Sequence, residues 1–162
     1  MIDLVRDELL TTFGATPLPV AILRLVCAAI LGAILGWERE SHDKPAGLRT
    51  HILIAIASCL FTLIAFDLIA MGEEAGDALR VDPIRVIEAV TAGVAFLAAG
   101  SIITQGARVR GLTTGAGMWM AGAVGLSCGT GNVPLAALAT VLALLVMWVL
   151  RKLAGRRQGK YR

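Results

Sequence analysis

The sequence predicts an all-α fold, a polytopic membrane protein with five transmembrane helices. Of its 162 residues, 57% are hydrophobic and 17% are charged, below the roughly 25% charge of soluble domains. The charges gather between apolar runs of about twenty residues, the length that crosses the hydrocarbon of a bilayer. Lysine and arginine also alternate between rich and poor connections, as membrane topology requires.

Residues 1–16 form an amphipathic N-terminal segment, with Ile2, Leu4, Val5, Leu9, Leu10 and Phe13 set among charges. That pattern predicts a short interfacial helix. No cleavable signal is expected, because the N-terminus is more acidic than basic and the first apolar run is too long for a signal core. Residues 17–150 form the transmembrane helical domain. Its first span covers residues 18–37 and includes Arg24. The second covers 48–70 and includes Asp67. The third follows Asp82-Pro83 and continues to Thr104, with Arg85 and Glu88 in its first turns. The fourth, 112–128, is short and glycine-rich, which suits a tilted, broken or re-entrant helix. A Gly129-Thr130-Gly131-Asn132 turn leads to the fifth, 133–150, and residues 151–162 form a basic cytoplasmic tail.

Connections 38–47 and 105–111 hold Arg39, Lys44, Arg108 and Arg110, and six of the fifteen basic residues follow Leu150. The opposite side has Arg6 and Arg80 beside Glu73, Glu74, Asp77 and Asp82. The positive-inside rule therefore puts the N-terminus outside and the C-terminus in the cytoplasm, which needs five spans. A four-span alternative, with 112–128 dipping in and returning, would strand the basic tail outside. The net charge of +3 suits an anionic membrane surface better than nucleic acid.

An echo runs at a fixed offset of 64 residues: Pro19 with Pro83, Arg24 with Glu88, Gly36 with Gly100, Gly47-Leu48 with Gly111-Leu112, and Thr50 with Thr114. It predicts a parallel repeat of two helical hairpins. Small residues at intervals of four, including Gly32 and Gly36, Ala89 and Gly93, and Ala121 and Gly125, predict close helix packing. Gly100 belongs to the same packing set. Cys27, Cys59 and Cys128 lie inside apolar runs without metal or disulfide spacing, so they read as small packing residues.

Two charged layers are the candidate sites. Towards one end, Arg24, Asp67, Arg85 and Glu88 form an expected network in which Arg24 meets Glu88 or Asp67. It serves either as a structural ion pair or as a vestibule for an ion or substrate, since an isolated charge at that depth is costly. Towards the other end lie Glu38, Arg39, Glu40, Lys44, Arg49, Thr50 and His51, with Thr113 and Thr114. Free amides at the start of the second span favour an anion, so Arg49 could bind Glu38, a lipid phosphate or a soluble anion. Glu38, Glu40 and Asp43 could instead meet Mg²⁺ through oxygen and water. The candidate metal ligands are thus Glu38, Glu40, Asp67 and Glu88, with no confident site and no cofactor beyond Mg²⁺ as ligand or substrate. Ser41, His42 and Asp43 adjoin in sequence, but adjacency does not make a catalytic geometry, and no enzyme activity is expected.

These motifs together resemble the MgtC/SapB family of bacterial inner-membrane proteins. The resemblance rests on Arg24, Gly32, residues 36–40, residues 44–51, Asp82-Pro83, Arg85, residues 93–100 and 111–114, Trp119, Gly125 and Gly129. It covers about residues 20–130. The third-span motif has Ala95 and Ala98 where the family commonly has glycine, and Ala89 where a glutamine is common. The resemblance implies a multi-pass inner-membrane protein and carries over Arg24, Glu38, Arg39, Arg49, Thr50, Arg85, Thr113 and Thr114, none of them catalytic. Relatives support low-magnesium adaptation, growth inside host cells or acid survival, and one branch resembles a regulator of membrane energetics through the F-type ATP synthase. Some members add a soluble domain after the fifth span, whereas a basic tail is expected here.

The first functional reading is therefore a non-enzymatic protein of stress or low-magnesium adaptation, or of the regulation of membrane energetics. Its expected partners are membrane lipids, a second copy in a homodimer and another membrane protein, with no nucleic acid. The runner-up is a divalent-cation or small-solute transporter that uses the two charged layers.

Overall fold

A computed structural model of the protein describes residues 1, 15–42, 44–74, 82–105 and 108–158. The expected amphipathic helix therefore lies almost wholly outside the described residues. Five helices run in order: α1 (Leu18–Glu40), α2 (Leu48–Glu74), α3 (Pro83–Gly100), α4 (Leu112–Gly129) and α5 (Val133–Gln158). α1, α2, α3 and α5 each contain a stretch long and apolar enough to cross a membrane. α4 is not among the four.

Local chemistry sets the helix starts. Pro17 precedes α1 in an extended conformation (φ −56°, ψ 139°), since a proline ring cannot continue a helix backwards. Asp82 caps α3 by accepting from the Ile84 amide at 2.9 Å, with Pro83 in the first turn. That arrangement satisfies one orphan N–H and spares another. Gly111 opens α4 at φ 89°, a left-handed conformation that glycine adopts without strain.

The third span ends earlier than expected. α3 stops at Gly100, and Ser101 turns back to donate to the Ala98 carbonyl at 2.7 Å. The chain then forms a short antiparallel hairpin, β1 (Ile103–Gln105) with β2 (Arg108–Arg110), Thr104 facing Val109. The β-branched run Ile102-Ile103-Thr104 favours extended backbone over another helical turn.

α4 is the hub, touching each of the other four helices. Thr114, Gly115, Met118, Ala121, Gly122, Val124, Gly125, Cys128 and Gly129 are all buried along it. Its modest hydropathy follows from that position. A helix wrapped by protein can be built of glycine, alanine and threonine, because neighbours rather than lipid cover its backbone. The core is correspondingly small-chained, with Ala55, Cys59, Leu63, Ala121, Val124 and Cys128 essentially inaccessible. Large apolar side chains point outward instead, Phe96 being 80% exposed and Trp37 68%, the polarity expected when lipid is the solvent. Buried Thr62 and Thr140 donate to carbonyls four residues back, at 2.8 and 2.9 Å, so neither hydroxyl is left unpaired.

The packing glycines divide into two groups. A Cβ on Gly32 would stand 2.8 Å from the His51 carbonyl, and one on Gly36 2.7 Å from Leu48 Cα. One on Gly125 would overlap the Ala55 carbonyl. These three glycines let α1 and α4 close onto α2. Among the described residues, Gly93 and Gly100 have nothing within 4 Å of a Cβ position, and there they do not bring two helices together.

Candidate functional site

The helices alternate in direction, bringing the end of α1, the start of α2, the start of α4 and the end of α5 to one end of the bundle. Arg39, in the last turn of α1, is 5% exposed, and His51, in the first turns of α2, is 0% exposed. Their seclusion follows from Gly36, which lets the α2 backbone approach α1, and from Gly117, whose missing side chain leaves room against His51 Nε2.

Arg39 Nη2 donates to Thr114 Oγ1 at 3.1 Å, and Nη1 lies 3.9 Å from Met147 Sδ. Its Nη1 is also 3.8 Å from Glu38 Oε2. A single guanidinium thus ties α1 to α4 and reaches α5. Glu38 in turn accepts from Arg151 Nη1 at 2.8 Å. His42 completes this layer, its Nδ1 2.7 Å from the Glu38 carbonyl and its Nε2 2.6 Å from Arg151 Nη1. The carbonyl can only accept, so Nδ1 carries the hydrogen and Nε2 receives the arginine N–H.

The sequence reading brings Arg39, Glu38 and Thr114 into one cluster, and the structure does the same. Three other expectations change. Arg49 and Thr113 are exposed and Thr50 half-buried, and among the described residues Glu38 pairs with Arg151 and Arg39 rather than with Arg49. The α2 N-terminus, expected to hold an anion, takes the chain's own: Glu40 Oε2 accepts from the Leu48 amide at 2.6 Å. Among the described residues, no group of three His, Cys, Asp or Glu side chains converges. Asp43 lies outside the described residues.

The opposite end also departs from expectation. Arg24 meets neither Asp67 nor Glu88 among the described residues. Its Nη1 donates to the Gly129 carbonyl at 2.8 Å, at the last turn of α4, where unpaired carbonyls and the helix dipole attract a cation. Gly131 supports this contact twice. Its φ of 85° is left-handed, and a Cβ there would fall 2.6 Å from Arg24 Nη2. Asp67 instead accepts from the Ala15 amide at 3.0 Å. Arg85 and Glu88 are exposed on α3.

Sequence reasoning missed Arg151, His42 and Gly117 as members of the cluster. Arg151 was readable only as one basic residue in a tail. A glycine four residues beyond Thr113, on the same helical face, was the one available sign of Gly117.

The fold and its two cation-tied ends define a multi-pass α-helical membrane protein, with an arginine joining helices at each end. Residues 25–156 match the model of the MgtC family. The chain is 36% identical over 143 residues to YhiD of Escherichia coli K12, an alignment covering 86% of this chain and 64% of the relative. It is 38% identical over 129 residues to Protein MgtC of Brucella abortus strain 2308, covering 80% and 50%. An uncharacterized Haemophilus influenzae protein is 33% identical over 147 residues, covering 85% and 61%. The chain belongs to the MgtC family of bacterial membrane proteins, the MgtC/SapB family that its motifs resemble. It spans between half and two-thirds of the length of these relatives. No solved structure matches it.

Proposed function

We propose that this chain is a non-enzymatic inner-membrane protein of magnesium-related adaptation, acting as a regulator of membrane energetics rather than as a conduit. The observation that carries the reading is the close approach of α2 and α4. Gly125 sits against the Ala55 backbone and Gly129 against Cys59 and Thr62, which leaves no room for a solute between these two helices. The ionisable cluster is concentrated at one end, where another membrane protein or lipid headgroups can meet it. There Glu38, Arg39, Arg49, Thr50, Thr113 and Thr114 are the residues proposed to act. Arg24, Asp67, Arg85 and Glu88 hold or face the other end.

In this reading the chain crosses five times, with the N-terminus outside and the cluster at the cytoplasmic face. The Arg151–Glu38 contact at 2.8 Å supports five crossings. It joins the ends of α1 and α5, which a re-entrant α4 would put on opposite sides. In this reading two copies pair through α3, where Gly93 and Gly100 have no neighbour within 4 Å of a Cβ position among the described residues and Phe96 is exposed, since small residues allow close approach by another helix.

The name given to YhiD proposes magnesium transport for that protein, and the alternative here is a divalent-cation transporter. The test separates the two. In a host lacking its own relative, wild-type protein restores growth at low magnesium and Arg39→Met at equal membrane abundance does not, while sealed liposomes holding purified protein show no Mg²⁺ flux. Saturable flux abolished by Glu38→Gln or Glu88→Gln, with assembly intact, overturns the regulatory reading.

A further inference from the structure

The Arg39 cluster adjoins an apolar space that the proposed function does not use. A cavity of about 390 Å³ extends from Arg39 and His51 along the seam between α4 and α5, walled by Leu35, Met120, Leu142 and Val146. A second cavity of about 470 Å³ shares Arg39, Thr113, Val146 and Met147 with it and opens among Glu38, His42, Lys44 and Arg151. One part is an apolar slot of the size that holds small ligands. The other is a mouth where, among the described residues, three cations, Arg39, Lys44 and Arg151, face one carboxylate, Glu38.

Buried polar atoms at the junction have work left to do. Arg39 Nε, His51 Nε2 and the Glu38 carboxylate oxygen Oε2 are buried without a hydrogen-bond partner among the described residues. His51 Nδ1 lies 2.9 Å from the Gly47 carbonyl, which can only accept, so Nδ1 holds the hydrogen, and in the neutral ring Nε2 carries a lone pair. Arg39 Nε–H can only donate. A hydroxyl has the complement of each, a lone pair for arginine and a hydrogen for histidine. Gly117 borders the same cavity, and a Cβ there would stand 3.1 Å from His51 Nε2 and 3.9 Å from Arg39 Cδ.

We propose that this two-part cavity binds a single-chain anionic glycerophospholipid. Its acyl chain lies in the slot, its free glycerol hydroxyl meets Arg39 and His51, and its phosphate sits at the mouth between Lys44 and Arg151. Each part of the cavity selects one feature: the narrow slot one chain, the donor–acceptor pair a hydroxyl, and the cationic mouth an uncompensated phosphate. The site stands apart from whether the chain regulates or transports, since binding is read on the purified protein.

The experiment is thermal unfolding of the full chain in a non-ionic detergent, with submicellar 1-oleoyl lysophosphatidic acid, 1-oleoyl lysophosphatidylcholine or glycerol 3-phosphate. Lysophosphatidic acid raises Tm by ~5 °C or more at a hundredfold excess over Kd, and the other two do not. Ala143 also lines the slot, and Ala143→Leu, which fills it, removes the shift, as does Gly117→Ala, which covers His51 Nε2. An equal shift with lysophosphatidylcholine overturns the proposal, as does a shift with glycerol 3-phosphate, which would mark a site for the free head alone. No shift with any probe, which leaves a bridging water as the occupant, also overturns it. So does a lysophosphatidic acid shift that survives Ala143→Leu. The wild-type comparison decides even if a variant does not fold.

Discussion

The hairpins α1–α2 and α3–α4 carry the same glycines at the same offset and use them differently. In the first, Gly36 is pressed against Leu48 and Gly47, and the two helices run together along their length. In the second, Gly100 has no neighbour within 4 Å of a Cβ position among the described residues, and α3 buries Val90, Val94 and Ala98. The connections differ as well. In the first, Glu40 accepts from the Leu48 amide, whereas in the second Ile103–Gln105 pairs with Arg108–Arg110. Even the matched Arg24 and Glu88 part ways, one capping α4 and the other exposed. A shared pattern of residue types therefore specifies which faces can approach closely, while the partner that fills each face is decided by the rest of the bundle. The first hairpin has its partner within this chain. The second keeps one face for lipid or another molecule.

The largest effect expected from this contrast lies in the matched glycines. Gly36→Ala forces a methyl into the α2 backbone and costs about 1–3 kcal/mol, while Gly100→Ala stays within about 0.5 kcal/mol. Thermal unfolding in detergent compares them, and equal losses would erase the distinction between the hairpins. Next come the matched charges. Arg24→Met removes a cation from the partly buried α4 C-terminus, at most about 2 kcal/mol, whereas Glu88→Gln is close to neutral. A Glu88 loss as large as that of Arg24 would return the pair to equivalence.

A smaller difference separates the matched threonines. Thr114→Val deprives buried Arg39 of an acceptor and costs about 1 kcal/mol, and Thr50→Val, with no side-chain bond among the described residues, changes little. Urea titration of the two variants sharpens the point. The smallest effect belongs to the contact that joins the first hairpin to α5. Arg151→Gln costs roughly 0–1 kcal/mol, because Arg151 is 43% exposed, and the loss shrinks further in high salt. A salt-independent loss would mean that the Glu38 pair is better shielded than its exposure implies.

Much of the architecture was legible because lipid imposes one simple demand, a long apolar run for each lipid-facing helix. α1, α2 and α5 announce themselves that way. α4 was harder to classify because its solvent is protein, and hydropathy cannot tell a helix covered by neighbours from one unsuited to the membrane. At the sites, residue type identified Arg24 as needing a partner but pointed to carboxylates, since side chains are what a sequence displays. The actual partner is a backbone carbonyl, which every residue has and no pattern marks. Glu40 was visible as a carboxylate near a helix start. Whether it could reach the Leu48 amide depended on the path of the intervening loop, which spacing alone does not define. Arg39 and Thr114 could be placed in one layer because both belong to motifs that flank turns, but the hydrogen bond between them was not legible.

The Glu40 cap has a consequence for any effector arriving at this end. A carboxylate tethered eight residues from the amide it occupies competes at an effective concentration in the millimolar range. A phosphate-bearing molecule therefore meets an occupied berth at the head of α2, and must displace a resident that never diffuses away. Glu40→Gln would lower that threshold, turning a self-plugged helix end into a receptive one.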